Sequence, residues 1–165
     1  MEFFYPNWIN DFWRVMGLIF HNDKTYFHLS DGRRGFDKER IVRFATEQGF
    51  AFFDTATTVR RLKDNASDNY LEILQPTDIA ALLAPMPHCR CLVTTGGKAS
   101  EELRAQLSLA SGLPGGELLP MPAIGQRLSL QCYGRQLDWW RMPSTSRAYP
   151  LSLEKKAEFY KQLIQ

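Results

Sequence analysis

Three cysteines are too few, and wrongly spaced, for sulfur to hold this chain together. Cys89, Cys91 and Cys132 are odd in number, and one residue separates the first two. That is neither a disulfide framework nor the spacing of a tetrahedral zinc site. An iron–sulfur cluster on four thiolates is excluded by count. The three are expected to be reduced core cysteines of a cytoplasmic protein. Histidine is equally scarce: His21, His28 and His88 lie near no candidate nucleophile and outside metal-ligand spacing, and no Gly-x-Ser-x-Gly elbow occurs. Neither a metal nor a cofactor is implied. No apolar run approaches the length of a membrane span, so no membrane partner is expected. The first residues, Met1-Glu2-Phe3-Phe4-Tyr5-Pro6, lack the basic-then-apolar order of a signal peptide. An excess of one charge is missing too. Twenty Lys and Arg against eighteen Asp and Glu leave +2, so a basic surface must come from local clustering. Repeats and low-complexity tracts are absent.

What the sequence does have is apolar and aromatic residues, 44% and 13% of 165. That is enough for one domain, 1–165, with a real core. Phe3, Phe4, Tyr5, Trp8, Phe12 and Trp13 crowd its start, where termini are usually polar. Such a start must be packed, or it must serve as a self-association surface of a homo-oligomer, or the unit it belongs to begins earlier. Asn10 can cap a helix whose apolar face is Trp13, Met16, Leu18 and Phe20. Residues 21–36 read as loop. Asp37 caps a second helix bearing Ile41, Phe44 and Ala45, stopped by Gly49. Phe50-Ala51-Phe52-Phe53 reads as a buried parallel strand ending at Asp54. Residues 55–76 read as loop and carry Arg60, Arg61 and Lys63. Thr77 or Asp78 caps a short helix through Leu83. Cys91 to Thr94 reads as a second buried strand, which Gly96-Gly97 turns into a helix over 100–110. After a proline- and glycine-rich connection at 113–126, Leu128–Tyr133 and Gln136–Arg141 form a hairpin around Gly134-Arg135. Pro143 ends it. A last helix from Ser152 places Leu153, Ala157, Tyr160 and Ile164 on one face. The alternation predicts a three-layer α/β/α domain with a short, mostly parallel sheet. Ligands of such sheets sit beyond the C-terminal strand ends. There the segments after Asp54, after Thr94 and from Met142 to Arg147 are expected to converge.

Three segments offer chemistry. Ser144, Thr145, Ser146 and Arg147 follow Pro143 with three hydroxyls, backbone amides and a guanidinium, the groups that hold phosphate oxygens. On local composition alone they read equally as a hydroxyl-rich turn into the last helix. Thr95-Gly96-Gly97-Lys98 lacks the full spacing of a phosphate loop, and its glycines suit a strand-to-helix turn. Phe4 to Trp13 mixes aromatic faces with the amides of Asn7 and Asn10, as a pocket that stacks a base and reads its edge would. It reads as well as a hydrophobic helix with Asn10 as a plain cap. Asp54 suits either a catalytic carboxylate or a strand end. The Arg33-Arg34 and Arg60-Arg61 pairs read as solvated, with gripping of a DNA backbone as the alternative.

Together these segments resemble the uracil-DNA glycosylase superfamily, and within it the hypoxanthine-DNA glycosylase-like branch. Phe4-Tyr5 leading to Asn10-Asp11-Phe12-Trp13 is similar to that branch's aromatic pair before Asn-x-Phe-Trp. Thr95-Gly96-Gly97-Lys98-Ala99 resembles its Asn-Gly-x-Lys-Ala turn. Met142-Pro143-Ser144-Thr145-Ser146 resembles the superfamily's second motif, Leu-Pro-Ser-Thr-Ser. The order and rough spacing agree across nearly the whole chain. In the family a first strand and its catalytic-motif loop come before the aromatic segment, and here they have no counterpart. Either the chain starts late within its domain or part of the site is lacking. Arg147-Ala148-Tyr149 replaces the usual Pro-Ala-Asn, so a phosphate contact and a wedge would take over that Asn's role.

The resemblance implies hydrolysis of the N-glycosidic bond of a deaminated base, uracil or hypoxanthine, flipped out of DNA for base excision repair. It gives Asn10 the catalytic place, orienting water or contacting the sugar or base, and Phe4, Tyr5 and Thr95 the base. It gives Ser144, Thr145, Ser146, Arg147 and Lys98 the DNA phosphates. Replacing Asn10 by Ala is then expected to reduce excision and spare the fold. The alternatives are a non-catalytic nucleic-acid- or nucleotide-binding relative and an α/β interaction domain.

Overall fold

The computed structural model describes residues 3–61 and 71–164. It has a mixed α/β fold with two small sheets. Its contacts separate into two units: Met1–Phe52 with Pro143–Gln165, and Phe53–Met142. Among the described residues no helix is long and apolar enough to cross a membrane.

The first unit holds helices α1 (Phe12–His21), α2 (Lys38–Gln48) and α5 (Leu153–Tyr160). Their ends follow from local chemistry. Asn10 Oδ1 accepts the Phe12 amide at 2.9 Å, Asp37 Oδ1 accepts that of Arg40 at 3.0 Å, and Ser152 Oγ accepts that of Lys155 at 3.2 Å. Each bond satisfies an amide that the first helical turn leaves unpaired. Gly49 closes α2 at φ 70°, a conformation that costs glycine little. In α1 every residue from Phe12 to Gly17 is buried, which marks a central helix rather than a surface one. A Cβ on Gly17 would lie 2.3 Å from the Asp23 carbonyl oxygen, so only glycine lets the chain fold back this closely. α5 packs on α1 and buries Lys156 and Tyr160, one turn apart. Ile164, expected on the same face, is exposed in the short 3₁₀ turn that follows α5.

Rings fill the space between helices. Trp13 and Phe44 each meet Phe27, at centroid distances of 5.4 and 5.0 Å. The buried parallel strand expected at Phe50–Phe53 does not form. Phe50 meets Phe20 and Phe44, and Phe52 meets Phe12 and Trp13. Phe53 is 53% exposed. Alternate residues turn inward, as in a strand, but ring contacts with helices take the place of a hydrogen-bonded ladder.

The second unit holds β1 (Ala56–Arg61), β2 (Leu71–Pro76), α3 (Ile79–Leu83), β3 (Cys91–Thr95), α4 (Gly97–Ala110), β4 (Gln126–Cys132) and β5 (Arg135–Met142). Asp78 caps α3 through the Ala81 amide. The expected loop at 55–76 is instead an antiparallel pair, β1 with β2. Thr57, Thr58, Val59 and Ile73 favour pleated backbone despite the charged residues among them. Arg60 lies 3.5 Å from Glu72 on the exposed pair. Lys63 and the side chain of Arg61 fall outside the described residues.

The other sheet has the order β3-β5-β4. β3 runs parallel to β5, with Thr95 opposite Met142, and β4 runs antiparallel to β5. The expected mostly parallel sheet is therefore corrected to one parallel pair among antiparallel ones. The cause is the two-residue turn Tyr133-Gly134, with φ of 51° and 71°. Two consecutive positive φ values match strand twist and return the chain directly, which only antiparallel strands allow. β3 was also expected to be buried, but it is an edge strand and Val93 is 41% exposed. The strand-to-helix turn at Gly96 has φ 110°, and α4 starts at Gly97, earlier than the expected Ser100. Cys132 is buried and Cys91 exposed, so the cysteines are not uniformly core residues.

Leu83, Leu103, Leu107, Leu137 and Trp139 form the core of this unit. At its polar centre the Trp139 indole Nε1–H donates to Thr94 Oγ1 at 3.0 Å, and Ser100 Oγ lies 3.0 Å from the same oxygen. Thr94→Val keeps the shape of the side chain and leaves a buried indole N–H unpaired. Its expected cost is about 1–3 kcal/mol, read as a lower urea midpoint. In the Trp139→Phe background the same substitution should cost clearly less. Equal costs in the two backgrounds would remove Thr94 as the indole's partner.

Candidate functional site

Two stretches distant in sequence are joined by backbone in the first unit. Asn10 and Ser146 form an antiparallel bridge. The Asp11 amide donates to the Thr145 carbonyl at 2.8 Å, and the Arg147 amide donates to the Ile9 carbonyl at 3.2 Å. The aromatic N-terminal segment and the Ser-Thr-Ser segment are thus one piece of structure.

Asp11 organises the side chains around this junction. Its Oδ2 accepts from Lys156 Nζ at 3.0 Å and its Oδ1 from Arg147 Nε at 3.0 Å. Arg14 Nη1 lies 3.6 Å from Oδ1. Lys156, only 1% exposed, also donates to the Ser146 carbonyl at 2.9 Å. α5 is fastened a second time where the Tyr160 hydroxyl donates to the Pro143 carbonyl at 2.8 Å. Burial pushes the Tyr160 phenol well above its ordinary pKa, so it stays a donor.

Beside this cluster lies an open cavity of about 460 Å³. Arg14, Lys24, Arg147 and Lys156 line it, and Asp11 is the one carboxylate among its lining residues. Trp8 and His28 supply aromatic surface, and Leu151 and Leu153 aliphatic surface. The Arg14 guanidinium lies 4.1 Å from the Trp8 ring centroid, and the Trp8 and His28 rings are 4.6 Å apart. Arg14 Nη1 donates to the carbonyls of Trp8 and Asn10. Arg14 Nη2 and His28 Nε2 are buried without a partner among the described residues. His28 titrates below its ordinary value, first because burial disfavours its charged form and then because Arg14 and Arg147 repel a further positive charge.

Of the residues singled out from sequence, Asn10, Ser144, Thr145, Ser146 and Arg147 meet at this junction. Asn10 stands one residue before the N-cap, Asp11, and spends its Oδ1 on the Phe12 amide at the start of α1. Thr145 is buried, while Ser144 and Ser146 are half-buried and accept the amides of Ser146 and Ala148 at 3.2 Å each. Phe4 stacks on Phe52 at 5.7 Å and Tyr5 on Phe12 at 4.4 Å, so both are packed within the unit. Thr95 and Lys98 belong to the other unit, Thr95 at the end of β3 and Lys98 in the first turn of α4. Trp8 falls within the aromatic segment that the sequence offers as a stacking pocket, and His28 is the histidine to which the sequence gives no role. Arg14, Lys24 and Lys156 carry no assignment from sequence, although Lys156 falls between Leu153 and Tyr160 on the apolar stripe of its helix.

Asp11→Asn removes the only carboxylate at the centre of three cations. Its expected cost is about 3–5 kcal/mol in urea denaturation. Lys156→Met should cost less, because Arg147 still pairs with Asp11. The reverse order would place the stabilising role elsewhere. Stability is also expected to fall as pH drops from about 7.5 to 5.5, because the unfolded chain takes up a proton that folded His28 resists. His28→Gln should flatten that part of the profile, and parallel profiles for the two proteins would rule the histidine out.

No family model, no curated protein and no solved structure matches the chain.

Proposed function

We propose that this chain is a DNA-binding relative of the uracil-DNA glycosylases that hydrolyses the N-glycosidic bond of a deaminated base. The observation that carries the reading is the bridge between Asn10 and Ser146. It joins two of the three segments on which the resemblance rests, far apart in sequence, and sets them beside a cation-lined cavity. The parallel β3–β5 pair, with α4 leaving β3 at Gly96, supports the α/β/α arrangement of that family.

On this reading the cations hold the phosphates flanking a flipped nucleotide, and Arg147 is the exposed one nearest the Ser-Thr-Ser turn. Bond cleavage leaves positive character on the sugar and negative charge on the base, so the site must stabilise both and position a water. Asn10 is the group proposed to orient that water, and its cap bond to the Phe12 amide fixes the side-chain direction. Stacked neighbours hold Phe4 and Tyr5, which sets the ring planes on which a base would lie. A non-catalytic, nucleic-acid-binding relative is the second reading. It is favoured by the use of Asn10 Oδ1 as a cap and by the burial of Thr145.

The cap changes which variant is informative. Asn10→Ala would lose about 1 kcal/mol of helix stability along with any catalytic role. Asn10→Asp keeps the capping oxygen and removes the amide donor. Oligonucleotides carrying uracil or hypoxanthine, single- and double-stranded, are expected to be cleaved at the lesion by the wild type. Asn10→Asp should cut that rate about 100-fold at near-unchanged stability. Binding of the oligonucleotides without excision of either base would favour the non-catalytic reading.

A further inference from the structure

We propose that the cavity lined by Trp8, Arg14, Lys24, His28, Arg147 and Lys156 is a binding site for a phosphate group. The inference rests on the cavity's own geometry and does not depend on base excision.

The side chains here are more cationic than the fold requires. Asp11 engages Lys156 and Arg147 directly, but Arg14 has no carboxylate of its own. Arg14 is 5% exposed, is held by two backbone carbonyls through Nη1, and its Nη2 has no partner among the described residues. A buried donor without an acceptor is costly and rare in folded proteins. An anion in the adjoining cavity would supply the acceptor. His28 Nε2 is a second buried nitrogen without a partner among the described residues, on another residue that lines the cavity. The Lys156 ammonium has three donors, of which Asp11 and Ser146 use two. Lys24 and Arg147 are exposed, so the site is open to a ligand from solution.

The donors favour phosphate over a carboxylate. A carboxylate presents two oxygens in one plane, whereas these nitrogens come from separate segments: α1, the turn before α2, the segment after Pro143, and α5. A tetrahedral oxyanion can meet several of them at once. The space exceeds that of a bare phosphate and falls within the range of small-molecule sites. Trp8, held by the Arg14 guanidinium on one side, offers aromatic surface to the organic remainder of the ligand. A phosphodiester of a nucleic-acid backbone and a free phosphorylated small molecule share this chemistry.

Calorimetric titration of the intact chain with inorganic phosphate, at ionic strength held constant with chloride, tests the site. Saturable binding is expected with a Kd of about 1 mM or tighter. Lys24→Gln and Arg147→Gln should each weaken it about tenfold, and Arg14→Gln should abolish it. Lys24 and Arg147 are exposed, so their variants carry the test even where Arg14→Gln fails to fold. A lesion-free oligonucleotide then identifies the source. If phosphate displaces it, the site takes a backbone phosphate. If phosphate binds while the oligonucleotide is unaffected, the site takes a free phosphorylated molecule. Either result supports the proposal. No saturable phosphate binding, or wild-type affinity in both exposed variants, overturns it. Phosphate binding without excision would leave this site standing and remove the glycosylase reading. Excision without phosphate binding would remove this site, and with it the phosphate-holding role of these cations, and leave base excision standing.

Discussion

The first unit depends on one carboxylate. Asp11 stands at the start of α1 and is met by Lys156 from α5 and Arg147 from the intervening turn, with Arg14 one turn along its own helix. A buried lysine is tolerable only with a counter-charge and acceptors for its protons. Asp11 and the Ser146 carbonyl supply both. The same contacts fix the depth of α5, and hence the reach of Tyr160 to Pro143 and the burial of the aromatic face of α1. Hydrophobic area supplies most of the free energy in such a unit, but it is indifferent to register. The ion cluster makes one register better than its neighbours.

Charge balance around Asp11 also shapes the cavity. One carboxylate shared among three cations cannot neutralise them, and Lys24 adds a fourth positive charge to the lining. The aromatic wall lowers the local dielectric and strengthens whatever field remains. Burial first, and then repulsion from Arg14 and Arg147 against the pull of Asp23, holds the His28 titration below its ordinary value.

The elements legible in the sequence were those fixed by chemistry within a few residues. Asp37 with Gly49, Asp78, Ser152 and the Pro143 end of the hairpin are local signals, and each lies where it was expected, while the hairpin turn falls at Tyr133-Gly134, one residue before the expected Gly134-Arg135. Asn10 was expected as the cap, but Asp11 holds that position and Asn10 receives the Phe12 amide from one residue earlier. Elements decided by partners at long range were misread. Phe50 to Phe53 has the composition of a buried strand, yet its rings serve helices. Ala56 to Arg61 has the composition of a loop, yet it is half of an antiparallel strand pair. The cavity was the least legible part. Charged residues on helices normally face water, so Arg14 and Lys156 gave little sign of burial. Trp8 and His28 became neighbours only through contacts that no local pattern encodes.

The unit built around Asp11 is discontinuous, and the whole of Phe53–Met142 intervenes between its two parts. A ribosome therefore releases α1 long before it makes α5. At ordinary elongation rates the gap is on the order of ten seconds. Throughout it Phe12 lacks Tyr160 and Asp11 lacks Lys156. The later unit, whose contacts are contiguous in sequence, can fold during that interval. Closure of the earlier one must wait, leaving an aromatic nascent segment in need of shielding until synthesis reaches α5.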